Sequence, residues 1–460
     1  KYDSGGALQW ARRAGGNTPS WPDRRDEGRD AGRGVGVDAN GNVYVTGGFY
    51  GSADFGGFSL SASQHQDFFL AKYNEIGAVQ WVRQSAGGGH SAYGTGLAVD
   101  SAGNSYAVGY FDGGAVAFGD TTLSHEGDYN IFLVKHNSAG ALQWAKALNS
   151  PDTCYSTFVA VDSDDNVYVP GSFRTSLNLG NTVLTSLGGK DGFVAKFNNA
   201  GVLQWVNLAG GPSDAAALGV HPDNRGAVYV CGGFGNEAGD TVVFGPAVTL
   251  TNVGGGVTGS GAGDAFLTKY DADSGSLQWA KRAGGVGMDG YTGVSTDVAG
   301  NVYVAGGADG LAFIDGWKAL IAKYDASGVE QWTRYSGGRG AALVWSGPVV
   351  DANDNSYVAG WYQGTVHFGT DILQPQGYWD LFLAKLAPVS DSLRFGSLSI
   401  SNGALQMRLD GMPGTSVILD LSFDVETWMP WQTNTLPVGG LGLALPIGTN
   451  GQFIRARLVQ

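Results

Sequence analysis

Only two of the 460 residues are cysteine, Cys154 and Cys231. That number rules out a disulfide framework or a cysteine-ligated zinc site and leaves at most one bridge. Charge is scarce as well, at 15% Asp, Glu, Lys and Arg, and positive charge scarcest, with 27 Lys and Arg against 41 Asp and Glu. A chain of net charge −14 repels a phosphate backbone, so nucleic acid is not an expected partner. No stretch approaches the roughly 18 unbroken apolar residues of a membrane span, so no membrane insertion is expected. No charged-then-apolar leader stands at the start, and the chain reads as already processed. Helical three-four spacing is missing too. What is abundant is glycine, with 77 residues, and aromatics, at 12%. That balance favours many short strands joined by tight turns, an all-β protein.

One block recurs along most of the chain. Its anchoring tyrosines are Tyr44, Tyr106, Tyr168, Tyr229, Tyr303 and Tyr357, separated by 62, 62, 61, 74 and 54 residues. Each is followed by a lysine that ends an apolar run of strand length: Lys72, Lys135, Lys196, Lys269, Lys323 and Lys385. A Gln-Trp segment marks a further strand at Trp10, Trp81, Trp144, Trp205, Trp279 and Trp332. Each unit thus offers four strands; in the second these are Thr95–Val99, Ser105–Tyr110, Ile131–His136 and Ala141–Lys146, joined by turns rich in Gly, Asn, Asp and Ser. A four-stranded unit cannot bury both of its apolar faces alone, so copies must stack, and closing the stack into a ring satisfies every copy. The expectation is a six-bladed β-propeller over residues 1–388. The chain opens at a fourth strand and the last repeat ends at a third, so residues 6–13 should pair with the strand ending at Lys385. Residues 389–460 break the pattern and read as a small β-sandwich, with turns at Asn402-Gly403, Asp410-Gly411 and Gly439-Gly440.

The turn Asp-x-x-Gly-Asn-x-Tyr (Asp38 to Tyr44, Asp100 to Tyr106, Asp297 to Tyr303), with Asp-x-Phe-Leu-Ala-Lys and Gln-Trp, resembles the bacterial SBBP β-propeller repeat. The fourth copy departs from it at Arg225-Gly226-Ala227, and the third and sixth place Asp165 and Asp354 where glycine is expected. Aspartate tolerates the left-handed backbone such a turn needs. The tail resembles the immunoglobulin- or fibronectin-like modules that end many secreted bacterial proteins. These resemblances imply an extracellular or cell-surface location in a bacterium and no single activity.

Catalytic motifs are missing. The six histidines have no metal-ligand spacing and read as solvent-facing loop residues. Neither a nucleophile elbow nor a phosphate loop is present. The repeated turn aspartates Asp38, Asp100, Asp162, Asp297 and Asp351 occupy equivalent environments, whereas an acid–base pair needs unlike ones, so they read as caps of turn amides. The densest oxygen-ligand group is Asp162, Asp164 and Asn166, a candidate Ca²⁺ site without the distal glutamate of an EF-hand. No other cofactor is implied. Cys154 and Cys231 stand in different repeats and are expected to be unbridged.

Departures from the repeat point to binding, because a rigid scaffold carries function on its loops. The first copy gains about nine residues around Trp21, Arg24, Arg25, Arg29 and Arg33, and the fourth about twelve over Asn252–Gly263. Both loops leave from one side of the ring. On that side an aromatic recurs twelve or thirteen residues before the repeat tyrosine, as Tyr93, Tyr155, Tyr291 and Trp345. First strands line the axis, so these rings should gather at the channel mouth, plugging it or stacking on sugar. The expected function is therefore a non-enzymatic secreted or surface protein that binds a glycan, a protein partner or another copy of itself. The alternative is a metal-dependent lyase or hydrolase with its site in the central channel.

Overall fold

The computed structural model describes residues 1–3, 5–16, 30–87, 91–245, 248–254, 263–285, 287–309, 317–369 and 371–387, together with the tail strands named below. The first sheet is Ala31–Val37, Val43–Asp54, Ser59–Tyr73 and Val79–Gln84, a meander in which each strand pairs antiparallel with the next. The second repeats it with Ala92–Val99, Ser105–Asp112, Tyr129–His136 and Leu142–Leu148, each close to its expected place. The third has a first strand broken into Cys154–Tyr155 and Ala160–Val161, then Val167–Phe173, Asp191–Phe197 and Leu203–Gly210. The fourth runs Ala215–Pro222, Ala227–Phe234, Asp264–Asp271 and Leu277–Ala283; the fifth Asp289–Thr296, Val302–Asp309, Trp317–Tyr324 and Glu330–Tyr335. The sixth has a split first strand, Ala341–Val344 and Val349–Val350, followed by Ser356–Gln363 and Asp380–Leu386.

The landmark residues form one repeated knot. In the first sheet Asp38 accepts bonds from the amides of Asn40 (3.0 Å) and Asn42 (2.9 Å), from Asn42 Nδ2 (2.7 Å) and from the Tyr44 hydroxyl (3.3 Å). Asp100, Asp297 and Asp351 make the same four contacts. The turn needs a left-handed residue, which is Gly103 at φ 78° in the second copy and Asp165 and Asp354, each at φ 60°, in the third and sixth. The lysine lies over the tyrosine ring, 4.8 Å from its centroid for Lys72 and Tyr44. The tryptophan reaches across to the next sheet: Trp81 Nε1 donates to Ser138 O (3.1 Å), Trp144 to Asn199 O (2.9 Å) and Trp205 to Ala272 O (3.0 Å).

First strands pack so closely that side chains are excluded. A Cβ on Gly219 would lie 2.6 Å from Gly293 Cα, and one on Gly293 would fall on Gly347 Cα. Ten residues before the repeat tyrosine every copy has glycine except the third, which has Phe158; the first strand is interrupted there and also in the sixth copy, which keeps Gly347. Neighbours are also latched at their other end, where Ala86 bridges Ala117, Asn149 bridges Asn178 and Gly337 bridges His367, each joining one sheet's last strand to a hairpin of the next.

Residues 6–13 do not follow expectation. Among the described residues the strand Asp380–Leu386 pairs only with Ser356–Gln363, and its Leu381 is 86% exposed. The N-terminal segment docks on the first sheet as a fourth strand does on the sheet that follows it: Trp10 Nε1 donates to Glu75 O (2.9 Å), Arg12 Nε to Gly77 O (2.8 Å), and Gly15 bridges Asp54, matching Trp81 to Ser138 O and Arg83 to Gly140 O. Lys1 accepts from the Gln9 amide through its carbonyl and donates from its amino group to Trp10 O, as a third strand's end pairs with a fourth strand.

The tail has two three-stranded antiparallel sheets, one of Arg394–Ser401, Ala404–Asp410 and Leu441–Pro446, the other of Met429–Thr435, Ser416–Ser422 and Phe453–Leu458. Leu409 and Leu443 of the first and Val417 and Leu419 of the second are buried.

Candidate binding face

Each meander has two ends. The aspartate turns and the third-to-fourth strand turns occupy one; the latching hairpins and the links between sheets occupy the other, called here the loop side. Tyr93, at the start of its strand, faces Tyr110 at the end of the next. Their rings stack at 5.1 Å and 27°. Tyr110 meets Tyr129 (5.7 Å) and Tyr155 (5.6 Å) edge-on, and Tyr129 lies 5.3 Å from Tyr155. The Arg33 guanidinium sits 5.9 Å from the Tyr93 centroid. All four tyrosines are half-buried, and their packing is shared between sheets two and three. Burial pushes the Tyr155 phenol up to about 12, helped by Tyr129, Tyr110 and Asp128. At neutral pH it is a neutral hydroxyl on an aromatic surface, suited to stacking and hydrogen bonding and not to proton abstraction.

Two sequence candidates, Tyr93 and Tyr155, thus come together. Tyr110 and Tyr129 escaped notice, although lying four residues after a repeat tyrosine and six before a repeat lysine places both at the same strand ends. Tyr291 does not join them. It is 2% exposed, and its hydroxyl lies 2.7 Å from that of Tyr324. The cause is register: Tyr93 pairs with the residue four beyond its repeat tyrosine, Tyr291 with the residue three beyond, and a shift of one residue turns a side chain to the other face. Trp345 is 63% exposed on sheet six, with no ring contact to the tyrosines among the described residues. Trp21, Arg24, Arg25 and Arg29 lie outside the described residues, as does most of Asn252–Gly263. Asn252 itself is buried and donates to Glu237 O (2.9 Å).

The candidate calcium residues are engaged within their own turn. Asp162 accepts from the amides of Asp164 (3.0 Å) and Asn166 (2.8 Å), from Asn166 Nδ2 (2.9 Å) and from Tyr168 (2.9 Å). These are the contacts of the other turn aspartates. No group of three His, Cys, Asp or Glu arranged to hold a metal occurs among the described residues. The histidines need correction. His136 is buried and His221 half-buried, and desolvation takes each down to about 4, because an imidazolium in an apolar setting loses its hydration. Their strand positions, and not loop composition, decide this. Cys154 and Cys231 are both buried and free, and burial raises the Cys154 thiol to about 12.

Taken together, the structure defines an all-β protein of successive four-stranded antiparallel sheets consistent with propeller blades. Residues 80–113 match the SBBP beta-propeller repeat, so that repeat is present. An uncharacterized WD repeat-containing protein of Acanthamoeba polyphaga mimivirus is 26% identical over 185 residues, which is 35% of this chain and 13% of that protein. The regulatory protein FlaEY of Caulobacter vibrioides is 27% identical over 152 residues, 32% of this chain and 15% of that protein. The chain therefore spans about one-seventh of the length of these relatives. Among solved structures, an ulvan lyase of polysaccharide lyase family PL25 is 12% identical with a TM-score of 0.37, covering 84% of this chain and 92% of that one.

Proposed function

We propose that this chain is a non-enzymatic β-propeller, secreted or held at a bacterial surface, that uses its loop side to bind a glycan, a protein or a second copy of itself. The observation that supports this reading is the group Tyr93, Tyr110, Tyr129 and Tyr155 with Arg33, half-exposed across two sheets. A core aromatic would be enclosed, as Tyr291 is, whereas these rings are only half-buried, and their amphipathic character is what makes tyrosine common at recognition surfaces. The reading takes residues 1–388 as the propeller and 389–460 as a small sandwich module, supported by the buried residues on both tail sheets. Glycan-array binding and sedimentation of the purified chain test the function, with Tyr93→Ala, Tyr110→Ala and Tyr155→Ala combined. Binding lost with the fold intact supports the assignment; binding that persists overturns it.

A further inference from the structure

The two ends of the sheet series carry faces that the inner steps bury. Between neighbouring sheets one pairing recurs. The residue two before the repeat lysine of one sheet joins a core cluster with the residue nine before the repeat tyrosine of the next: Leu133 with Val159, Val194 with Val220 and Leu267 with Val294. None of the six is more than 8% exposed. At the ends the same two positions lie open, with Leu383 of sheet six 65% exposed and Val35 of sheet one 67%. Leu381 beside the first is open too, where sheets one and two bury Phe68 and Ile131, and so is Val37 beside the second. A hollow of about 690 Å³ lies over the sheet-one face, walled by Val35, Val37, Val45 and Trp10 among others. Repeat arrays stay soluble as single units when their terminal faces are polar, and a large apolar face left open marks an interaction site.

Both halves of one further step are therefore present in the chain, at opposite ends. Among the described residues no strand of sheet six pairs with a strand of sheet one. Sheet one is also shaped to receive a sheet at this face. Lys1 Nζ donates to Glu75 O (3.3 Å) as Lys72 Nζ donates to Ser138 O (3.2 Å) in the step from sheet one to sheet two, and Trp10 sits as Trp81 does. The docking contacts of a preceding lysine and tryptophan are thus made on sheet one. The first, second and third strands of such a sheet are what sheet six, among the described residues, consists of.

We propose that sheet six of one copy docks on sheet one of a second copy, with Leu383 against Val35. The incoming Lys385 takes the place that the exposed Lys1 holds, and Lys1 and Tyr2 move aside. The two faces differ, so the contact runs head to tail and either closes into a ring of chains or continues as a filament. It uses sheet faces and not the tyrosine group, so it and loop-side binding fail separately. Sedimentation equilibrium of the full chain over a concentration series tests it, and should show species larger than one chain. Leu383→Lys and Val35→Lys should each weaken association at least about ten-fold, since each puts a charge where an apolar side chain is to be buried. Both side chains are exposed in the single chain, so the urea midpoint of either variant at low concentration should match the parent's; a lowered midpoint would mean that the face is already covered within one copy and would overturn the proposal. An equimolar mixture of the two variants should give a two-chain species and nothing larger, because the intact sheet six of one fits the intact sheet one of the other. A chain that stays single at every concentration overturns the proposal, whether the ring closes within one copy or the tail covers sheet six. So does association that survives either substitution, a mixture that stays monomeric, or association lost in Tyr110→Ala alone, which would place self-binding on the loop side.

Discussion

Replacing Asp100 with alanine removes four accepted hydrogen bonds at once: Ala102 N (3.0 Å), Asn104 N (2.8 Å), Asn104 Nδ2 (2.7 Å) and the Tyr106 hydroxyl (3.1 Å). They are not equal in cost. Ala102 is exposed and Asn104 half-buried, so water can replace Asp100 at their donors, whereas Tyr106 is fully buried and its hydroxyl would be stranded. A bond to a charged group is worth about 1.5–3 kcal/mol and an unsatisfied buried donor costs about 1–3. The net expectation is a loss of about 3 kcal/mol, a large part of the ~5–15 kcal/mol that holds a typical domain. Urea unfolding followed by tryptophan fluorescence measures it, with Trp144 reporting from beside Tyr106 at 6.2 Å. Asp297→Ala should cost a similar amount, because its contacts are the same. A loss below about 0.5 kcal/mol, the range of ordinary surface changes, would refute the turn-cap account and reopen a chemical role for these aspartates.

Acid should weaken the fold through His136. Its folded value of about 4 lies below the ordinary 6.5, so the unfolded chain binds more protons between those values. The stabilisation is complete above pH 6.5 and is lost as pH falls toward 4, by about 2 kcal/mol at pH 5. His221 acts in the same direction, while Asp67, raised to about 6 by burial, opposes both below pH 6. His136→Phe should flatten the difference between urea midpoints at pH 7 and pH 5; an unchanged difference would remove His136 from the account. Gly219→Ala should destabilise by about 1–3 kcal/mol through overpacking against Gly293, whereas Gly290→Ala, with open space at its Cβ, should be near neutral in the same assay. Native Cys154 and Cys231 should resist thiol reagents that label them in denaturant, and the intact mass should not rise by about two daltons on reduction.

The repeat was legible because its landmark residues serve one another. Aspartate, tyrosine, lysine and tryptophan meet in a single knot, so none can drift without cost to the others, and their spacing therefore persists in the chain. The candidate face was legible only in part. Composition and spacing carried Tyr93 and Tyr155, but Tyr291 stands one residue nearer its landmark, and only the pairing register shows that this turns it inward. For residues 6–13 a local signal was present, since Lys1 stands nine residues before Trp10 as Lys72 does before Trp81, and Lys1 forms backbone pairs with Gln9 and Trp10. The latching hairpins, such as Val116–Phe118 with Thr121–Leu123, are three residues per strand, too short for alternation to register. His136 occupies a strand position where its counterparts are Tyr73, Phe197, Tyr270 and Tyr324. That alignment could have marked it as buried from the start.

The central claim is that recognition resides on the loop side, and mapping a bound ligand tests it most directly. Any glycan or protein that scores in the array or sedimentation screen should be footprinted by hydrogen–deuterium exchange on the full chain. Protection concentrated in 91–94, 109–112, 127–131 and 153–157, and lost together with affinity in Tyr110→Ala, is the predicted result. Protection confined to the turns at 38–42, 100–104 and 297–301, or to the tail strands from Arg394 to Leu458, would contradict the account.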